Sequence, residues 1–528
     1  MAAGLTLSPH AAPDAALPEY ALRVTGTVRL VLVINLSSFV AEPDADAFRH
    51  LRGSEAFAAA LRALRPQPPF GFDEATAAIE QAAYKLRIFR SRLLHNHFFP
   101  TYRAAWDRTL QEHLRASGCA DSERWLRWTP RIRFSRNGLA VITLEQALDD
   151  IPLVECTRQV LELPTHGQRP AAQDQWGLGV TILRAFLDAI GHQMLLNVHG
   201  HSRTIHFTPT AHAEHTLWLD RYLIYAFRRI ANGAHLLTPN ELKHTYAQTL
   251  ASFMEGALVE YAGVRRFPLY SAEQARTLVE SDSSSWEEEL CLFTGESALL
   301  YYPLVGEGLA YIGGPLGLDA HAYSTYWAGI VRGIEHLVAF RSEVQQAERR
   351  TTDLLSRIPG LTRKVNDGHL GAEDLALIDH LAAGLSDIFD SLPEQRSMAV
   401  TATAFRADYV RRKFEILLRE LGVHATLDLV NTNVEQLDFF LSYYNDMRLQ
   451  WQAQRTNSLG VVLATIVLFL AVSSFLADTF NVIDRLSSVD QQSWVILIWI
   501  VTGGAGLLLL GVLVWRARRL FHRKDQNV

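Results

Sequence analysis

Four polar side chains near the C-terminus have a spacing that suits the lining of a channel. They are Ser458, Thr465, Ser473 and Asn481, at intervals of 7, 8 and 8 residues. This spacing puts them on one face of a helix, so that several copies of the chain would form stacked rings of hydroxyl and amide groups. The alternative stays open, because Ser and Thr hydroxyls readily bond to carbonyls of their own helix.

Three acidic residues lie beside this face, at Asp478, Asp484 and Asp490. In a ring of subunits they would form repeated anionic rings at the outer mouth and concentrate cations there. As an alternative, they are the ordinary charges of a solvated loop. The sequence leaves both interpretations open.

Histidines are concentrated in the middle of the chain, at His192, His199, His201, His206, His212 and His215. His199 and His201 are two residues apart and share a face if the segment is a strand, so they are the candidate metal ligands, with zinc as the metal. Scattered surface or core histidines are the alternative, because no cysteine is nearby. The three cysteines, Cys119, Cys156 and Cys291, are too widely spread for a disulfide framework and favour a reduced setting.

No catalytic constellation appears in the sequence. The glycines from Gly306 to Gly314 lack the Lys-Ser/Thr of a P-loop, and neither a serine elbow nor a zinc-protease helix occurs. The Glu287-Glu288-Glu289 run is interpreted as a solvated edge. The basic run from Arg406 to Arg419, which includes Lys413, is interpreted as a salt-bridged helix face. The sequence therefore predicts no enzyme, no certain cofactor and no binding of a nucleic acid duplex.

The elements that must carry these residues fall into four segments. The chain has 528 residues and a net charge of -6, and is too long for one compact core. The predicted segments are a disordered leader (1–19), a cytoplasmic α/β domain (20–315), a long-helix stalk region (316–457) and a transmembrane hairpin with a basic cytoplasmic tail (458–528). The predicted fold class is an α/β cytoplasmic domain followed by a long-helix stalk and two C-terminal transmembrane helices.

Within the α/β domain, the sequence predicts individual strands but not their order. Tyr20 to Val40 is rich in Val, Leu and Ile and predicts strand. Asn137-Gly138 predicts a hairpin over Arg131 to Glu145, and Thr294-Gly295-Glu296 predicts another over Trp286 to Pro303. Helical periodicity occurs over 73–117, 212–231 and 240–263.

Three long helical stretches follow, over 320–357, over 372–421 and from Thr426 onward. Breaks are predicted at Pro359-Gly360, near Gly368 and at Gly422. The third stretch has a heptad seam formed by Leu427, Val430, Val434, Leu437, Leu441, Tyr444 and Trp451. A helix of this length needs partners, which are either the two preceding helices or copies from other subunits.

Two uncharged apolar runs, 459–477 and 494–515, are predicted to span a membrane. The first gives roughly 28 Å of helix at 1.5 Å per residue. Basic residues flank the pair while acidic residues dominate the linker, so the positive-inside rule puts both termini in the cytoplasm. The sequence therefore predicts a multi-pass protein of the cell inner (plasma) membrane, with the lipid bilayer as a partner.

This arrangement resembles the CorA family of divalent cation transporters, best from about Ala320 to the end. In that family, five subunits surround a pore lined by the first span, which a Gly-Met-Asn signature closes on the outer side. The matching stretch here runs from Phe475 to Val482. Asn481 matches the signature Asn, whereas Thr479 and Phe480 replace its Gly and Met, which puts Mg²⁺ selectivity in doubt.

The resemblance implies a homo-oligomeric, pentameric channel or transporter for divalent cations such as Mg²⁺, gated by its cytoplasmic domain. Two alternatives stay open. One is a ligand-gated membrane effector of the same architecture, in which a nucleotide-like signal acts as a small regulatory ligand, as in CorA-like proteins of antiviral defence. The other is a membrane-tethered scaffold that conducts nothing.

Overall fold

The described part of the chain covers most of its length. A computed structural model describes residues 18–90, 99–116, 125–163, 174–198, 200–209, 218–261, 264–268, 270–303, 320–367, 370–399, 405 and 407–486. The chain divides into two compact units. The first comprises Met1–Lys364 and Leu370–Asp438, and the second comprises Val365–His369 and Phe439–Val528.

Thirteen strands are described, nine of which form one sheet in the first unit. They are β1 (Leu22–Asn35), β2 (Phe70–Phe72), β3 (Tyr102–Ala104), β4 (Thr129–Phe134), β5 (Leu139–Pro152), β6 (Gln193–Val198), β7 (His201–His206), β8 (Trp218–Asn232), β9 (His235–Leu236), β10 (Val259–Tyr261), β11 (Val264–Arg266), β12 (Leu290–Phe293) and β13 (Ser297–Tyr301). The order in the large sheet is β12-β13-β8-β1-β5-β4-β3-β2, with β9 beside β8. The β13–β8 pair is parallel, and the other pairs are antiparallel.

Both faces of this sheet are buried. Along β1, Leu30, Leu32 and Ile34 enter one hydrophobic core, while Val31 and Val33 enter a second core on the opposite face. Successive strand side chains point to opposite faces, so this alternation explains why β1 is apolar at nearly every position in its second half. The central strands can therefore hold helices on both sides.

Fourteen α-helices are described in the two units. They are α1 (Pro18–Ala21), α2 (Ala45–Leu51), α3 (Glu55–Ala63), α4 (Glu74–Lys85), α5 (Arg108–Ala116), α6 (Leu153–Leu161), α7 (Asp174–Ala189), α8 (Pro239–Thr245), α9 (Ala247–Met254), α10 (Ala272–Glu280), α11 (Ala320–Asp367), α12 (Ala372–Ala399), α13 (Asp408–Glu420) and α14 (Val423–Leu486). Short 3₁₀ helices occupy Leu36–Phe39, Glu42–Asp44 and Trp125–Arg127.

The long helices cover the second face of the sheet. Tyr326, Trp327 and Ile330 of α11 share the second core with Phe414 of α13 and Leu427 of α14. The first core contains apolar side chains from α3, α6, α7 and α9. The sheet is thus a central layer between two helical layers, and α11 is the main element on the second face.

The later part of α11 packs with α12 and the start of α14. Gly384 of α12 lies so close to α11 that an added Cβ would be 3.0 Å from a Leu354 methyl carbon. Asn433 of α14 is buried and donates a hydrogen bond to the Thr351 hydroxyl of α11, at 3.1 Å. Leu427, Val430, Val434 and Leu437 of the predicted seam are buried. The two preceding helices therefore supply partners for part of this seam within one chain.

The structure confirms the predicted hairpins and corrects two of the helix predictions. Both predicted hairpins are confirmed, as β4–β5 and β12–β13, and Gly138 adopts φ +78° in the first turn. The predicted helix over 212–231 is wrong where the chain is described, because 218–231 belongs to β8. The predicted break at Pro359-Gly360 is also wrong, since α11 continues to Asp367.

The membrane predictions are overturned. Among the described residues, no helix is both long and apolar enough to cross a membrane. The second predicted span, 494–515, lies outside the described residues. This finding contradicts the two transmembrane helices, the channel, and the multi-pass position in the inner membrane with its cytoplasmic termini.

Candidate functional sites

The sheet face that α11 covers carries a network of buried and half-buried ion pairs. Arg29 of β1 lies between two carboxylates, with its Nε 2.5 Å from Glu145 Oε2 of β5 and its Nη1 2.8 Å from Glu335 Oε1 of α11. The Glu335 side chain is only 2% exposed. Arg29 therefore links two strands of the sheet to the helix above them.

Arg332 extends this network to α4. Its Nε donates to Glu80 Oε1 and its Nη1 to Glu335 Oε2, each at 2.6 Å, and its Nη2 donates to the Thr101 hydroxyl. Burial alone would raise the pKa of Glu335, but the opposing arginines Arg332, Arg29 and Arg133 lower it to about 2. Glu335 therefore remains ionised at neutral pH. It holds α11 to the sheet through its ion pairs and does not exchange protons there.

Two further arginines lie on β4. Arg131 Nε donates to Asp73 Oδ2 at 2.7 Å, and its Nη1 is 3.0 Å from Glu145 Oε2. Burial would raise the pKa of Asp73, but the hydrogen bonds from the Thr76 amide and Arg131 outweigh it and lower the pKa. Burial lowers the pKa of Arg133 to about 9, and the neighbouring charge of Arg332 acts in the same direction. The cluster has equal numbers of basic and acidic members, which favours a structural role.

A separate ion pair joins α11 to β8. Arg341 contacts both carboxylate oxygens of Asp220, and the Ser342 hydroxyl is 3.3 Å from Oδ2. The Arg341 guanidinium also lies 5.5 Å from the centre of the Tyr222 ring. Burial raises the pKa of Asp220 despite the opposing charge of Arg341.

The third charged site joins α13 to the loop before β12. The Lys413 side chain is fully buried, and its Nζ donates to the Ser285 hydroxyl at 2.7 Å. The ammonium lies 5.7 Å from the ring centres of both Trp286 and Trp327. Glu289 Oε2 is 3.6 Å from Nζ. Burial raises the pKa of Glu289 to about 7, although Lys413 opposes the shift.

These sites differ in the chemistry they support. Burial raises the pKa of Glu289 to about 7, which is in the range that a general acid or base needs at neutral pH. The described thiols are poor nucleophiles, because burial raises the pKa of Cys156 far above its usual range and that of Cys291 to about 12. Cys119 lies outside the described residues.

The predicted channel-lining residues all lie on α14. Thr465 donates its hydroxyl to the Val461 carbonyl of its own helix at 2.7 Å, which is the bonding that the sequence left open as an alternative. Only the backbone is described at Ser458, Ser473 and Asn481, and likewise at Asp478 and Asp484. Asp490 lies outside the described residues. The ring arrangement therefore stays a prediction.

The predicted metal ligands do not form a described site. His201 begins β7 and is exposed, while His199 lies outside the described residues. Within the part of the chain that the structure covers, no group of three or more His, Cys, Asp or Glu side chains could hold a metal ion.

The described apolar stretch of α14 exposes large side chains in the second unit. Leu459, Leu463, Ile466 and Leu470 are 59%, 64%, 49% and 61% exposed. Their spacing of 4, 3 and 4 residues is that of a coiled-coil seam. Val461, Val462, Val467 and Leu468 are also exposed, so this apolar surface is wider than a single stripe.

Sequence reasoning missed the Lys413–Glu289 site. Both residues were assigned to solvated surfaces, because each lies in a run of like charges. One signal was available: Lys413 lies three residues after Val410 and four before Leu417, and both of these apolar residues are buried on α13. A lysine inside an apolar stripe at helical spacing indicates a buried ammonium.

Comparison with protein-family models, curated proteins and solved structures found no match to this chain. The resemblance to the CorA family therefore stays a prediction from the sequence.

Proposed function

We propose that this chain works as a homo-oligomer assembled through α14. The observation that carries the proposal is the exposed seam of Leu459, Leu463, Ile466 and Leu470. Burying large apolar side chains is favourable by about 25 cal/mol per Å² removed from water. A contiguous apolar surface of this kind commonly marks an interaction site.

A second copy of the chain suits this surface better than a charged partner would. The sequence has no charged residue between Leu459 and Ala477. Two identical segments therefore meet here without like-charge repulsion. The seam spacing also lets each side chain insert between residues of an identical helix.

The test is the mass of the full-length protein in solution, measured by sedimentation velocity at micromolar concentration. We expect a multiple of the 59.2 kDa chain mass. Leu463→Glu with Ile466→Glu puts charges into the seam and is expected to give single chains. Gln452→Glu with Gln454→Glu adds the same charge at exposed polar positions of the same helix and is expected to retain the wild-type mass.

Three outcomes would overturn the proposal. One is a wild-type protein that stays at the mass of one chain, and another is a seam variant that keeps the oligomeric mass. The third is binding of phosphatidylcholine vesicles in place of self-association.

A further inference from the structure

Lys413 attaches α13 to the rest of the first unit through three kinds of contact. Its Nζ hydrogen-bonds Ser285, faces the rings of Trp286 and Trp327, and pairs with Glu289. Burying an ammonium is costly unless such contacts compensate it. The state of this site therefore affects how firmly α13 packs.

The Glu289 carboxylate is poorly solvated. Its Oε1 accepts a hydrogen bond from the Tyr323 hydroxyl at 3.0 Å. Its Oε2 lies 3.6 Å from Lys413 Nζ, which is beyond hydrogen-bond distance. Within the described residues, the buried hydroxyl of Tyr326 has no hydrogen-bond partner. Burial raises the pKa of Glu289 and favours uptake of a proton, and it outweighs the charge of Lys413 and the hydrogen bonds from the Tyr323 hydroxyl and the Ser285 amide, which lower the pKa.

The groups around Glu289 come from three directions. Lys413 faces it from α13, on which Tyr409 lies close to Trp286 and Tyr326. Tyr323 and Tyr326 face it from α11, and their phenol groups remain neutral because burial raises the pKa of both. Cys291 of β12 remains protonated for the same reason. The acidic neighbours are Glu288, whose charge raises the pKa of Tyr323, and Asp282, whose charge raises the pKa of Cys291.

We propose that Glu289 is a proton-binding site that makes the packing of α13 against the sheet depend on pH. The cation Lys413 offsets only part of the burial cost of the carboxylate. Protonation removes that cost and turns the Glu289 carboxylate into an O–H donor. α13 then packs more firmly, and the Leu421 and Gly422 junction connects it directly to the start of α14. This inference does not depend on self-association.

The direction of the effect follows from proton linkage. Because burial raises the pKa of Glu289 from 4.5 to about 7, the folded site binds a proton more tightly than the opened site does. The added stability is fully present below pH 4.5 and is lost as the pH rises through about 7. If opening exposes Glu289 to water, the opening equilibrium of α13 is about tenfold more favourable at pH 8 than at pH 6.

The experiment is hydrogen exchange of the full-length protein at several pH values, read on peptides that cover 408–420 and corrected for intrinsic exchange. The wild type is expected to show the tenfold change between pH 6 and pH 8. Glu289→Gln is expected to reduce it to less than twofold, because the amide does not titrate. Glu288→Gln, at the exposed neighbouring position, is expected to keep the wild-type profile.

A second variant keeps the test decisive if Glu289→Gln does not fold. Lys413→Met removes the cation that opposes the pKa shift, so the transition is expected to move to higher pH. A pH-independent wild type, a Glu289→Gln variant that keeps the tenfold change, or a Lys413→Met variant with an unmoved transition would each refute the proposal.

Discussion

Arg341 binds Asp220 with two parallel hydrogen bonds, from Nε to Oδ2 and from Nη2 to Oδ1, each 2.5 Å long. Arg341 lies on α11 and Asp220 lies near the start of β8, so the pair connects the helix that covers the second face of the sheet to a central strand. Both side chains are less than a tenth exposed. Removing one partner of such a pair leaves an uncompensated buried charge.

Arg341→Met should therefore destabilise the protein strongly. We expect the free energy of unfolding to fall by about 3–5 kcal/mol, the usual cost of breaking a buried ion pair from one side. Equilibrium unfolding in urea at pH 7 measures this. Adding Asp220→Leu removes the stranded carboxylate and should recover most of the loss.

Arg357→Met is the matched control on the same helix. Arg357 pairs with Asp353 at 2.8 Å, but the two side chains are 40% and 59% exposed. An exposed pair contributes about 0–1 kcal/mol. If Arg341→Met lowers the unfolding free energy no more than Arg357→Met does, the Arg341–Asp220 pair does not stabilise the fold as predicted.

Acid sensitivity should depend on Glu335. Its three arginine neighbours overcome the effect of burial and lower its pKa to about 2, from 4.5. The folded state therefore binds fewer protons than the unfolded state between these values. The contribution of Glu335 to stability is present above pH 4.5 and is lost as the pH falls toward 2.

Glu335→Gln should lower the unfolding free energy at pH 7 and flatten its decline in acid. Urea unfolding between pH 3 and pH 7 gives both quantities. Glu373→Gln changes an exposed carboxylate at the start of α12 and should keep the wild-type profile. An equally steep acid decline in Glu335→Gln would show that other carboxylates control it.

The sequence predicted those elements whose signals are local. Asn137-Gly138 marked the β4–β5 hairpin, and Gly422, at φ +67°, marked the boundary between α13 and α14. β8 was mistaken for a helix because it is buried on both faces: Leu223 enters one core while Tyr222 enters the other. A strand without polar alternation has no period-2 pattern to distinguish it from a helix.

The charged sites could not be predicted because their partners are distant in sequence. Arg29 and Glu335 are 306 residues apart, and Lys413 and Ser285 are 128 apart. No sequence pattern near Arg29 or near Lys413 indicates which residue is its partner. The order of the strands decides which side chains meet. Thr465 illustrates the converse, since its bond to Val461 is local and was foreseen as one of two alternatives.

The crossing of α11 and α13 provides a test of packing. Gly333 lies against the ring of Phe414, and a Cβ at Gly333 would overlap that ring. Phe414 is fully buried and packs on Phe405 with the ring centres 4.0 Å apart, so it has little room to move. Overpacking of this kind costs about 1–3 kcal/mol.

Gly333→Ala should therefore lower the unfolding free energy, although alanine is the better helix former. Gly360→Ala is the control, because the same change on α11 meets nothing within 4 Å and should stabilise the protein by about 0.5–1 kcal/mol. Urea unfolding of both variants measures the sign of each change in unfolding free energy. If Gly333→Ala stabilises the protein as much as Gly360→Ala does, then α13 shifts to accommodate the added methyl group. In that case, the close packing of Phe414 against α11 would not be a determinant of the fold.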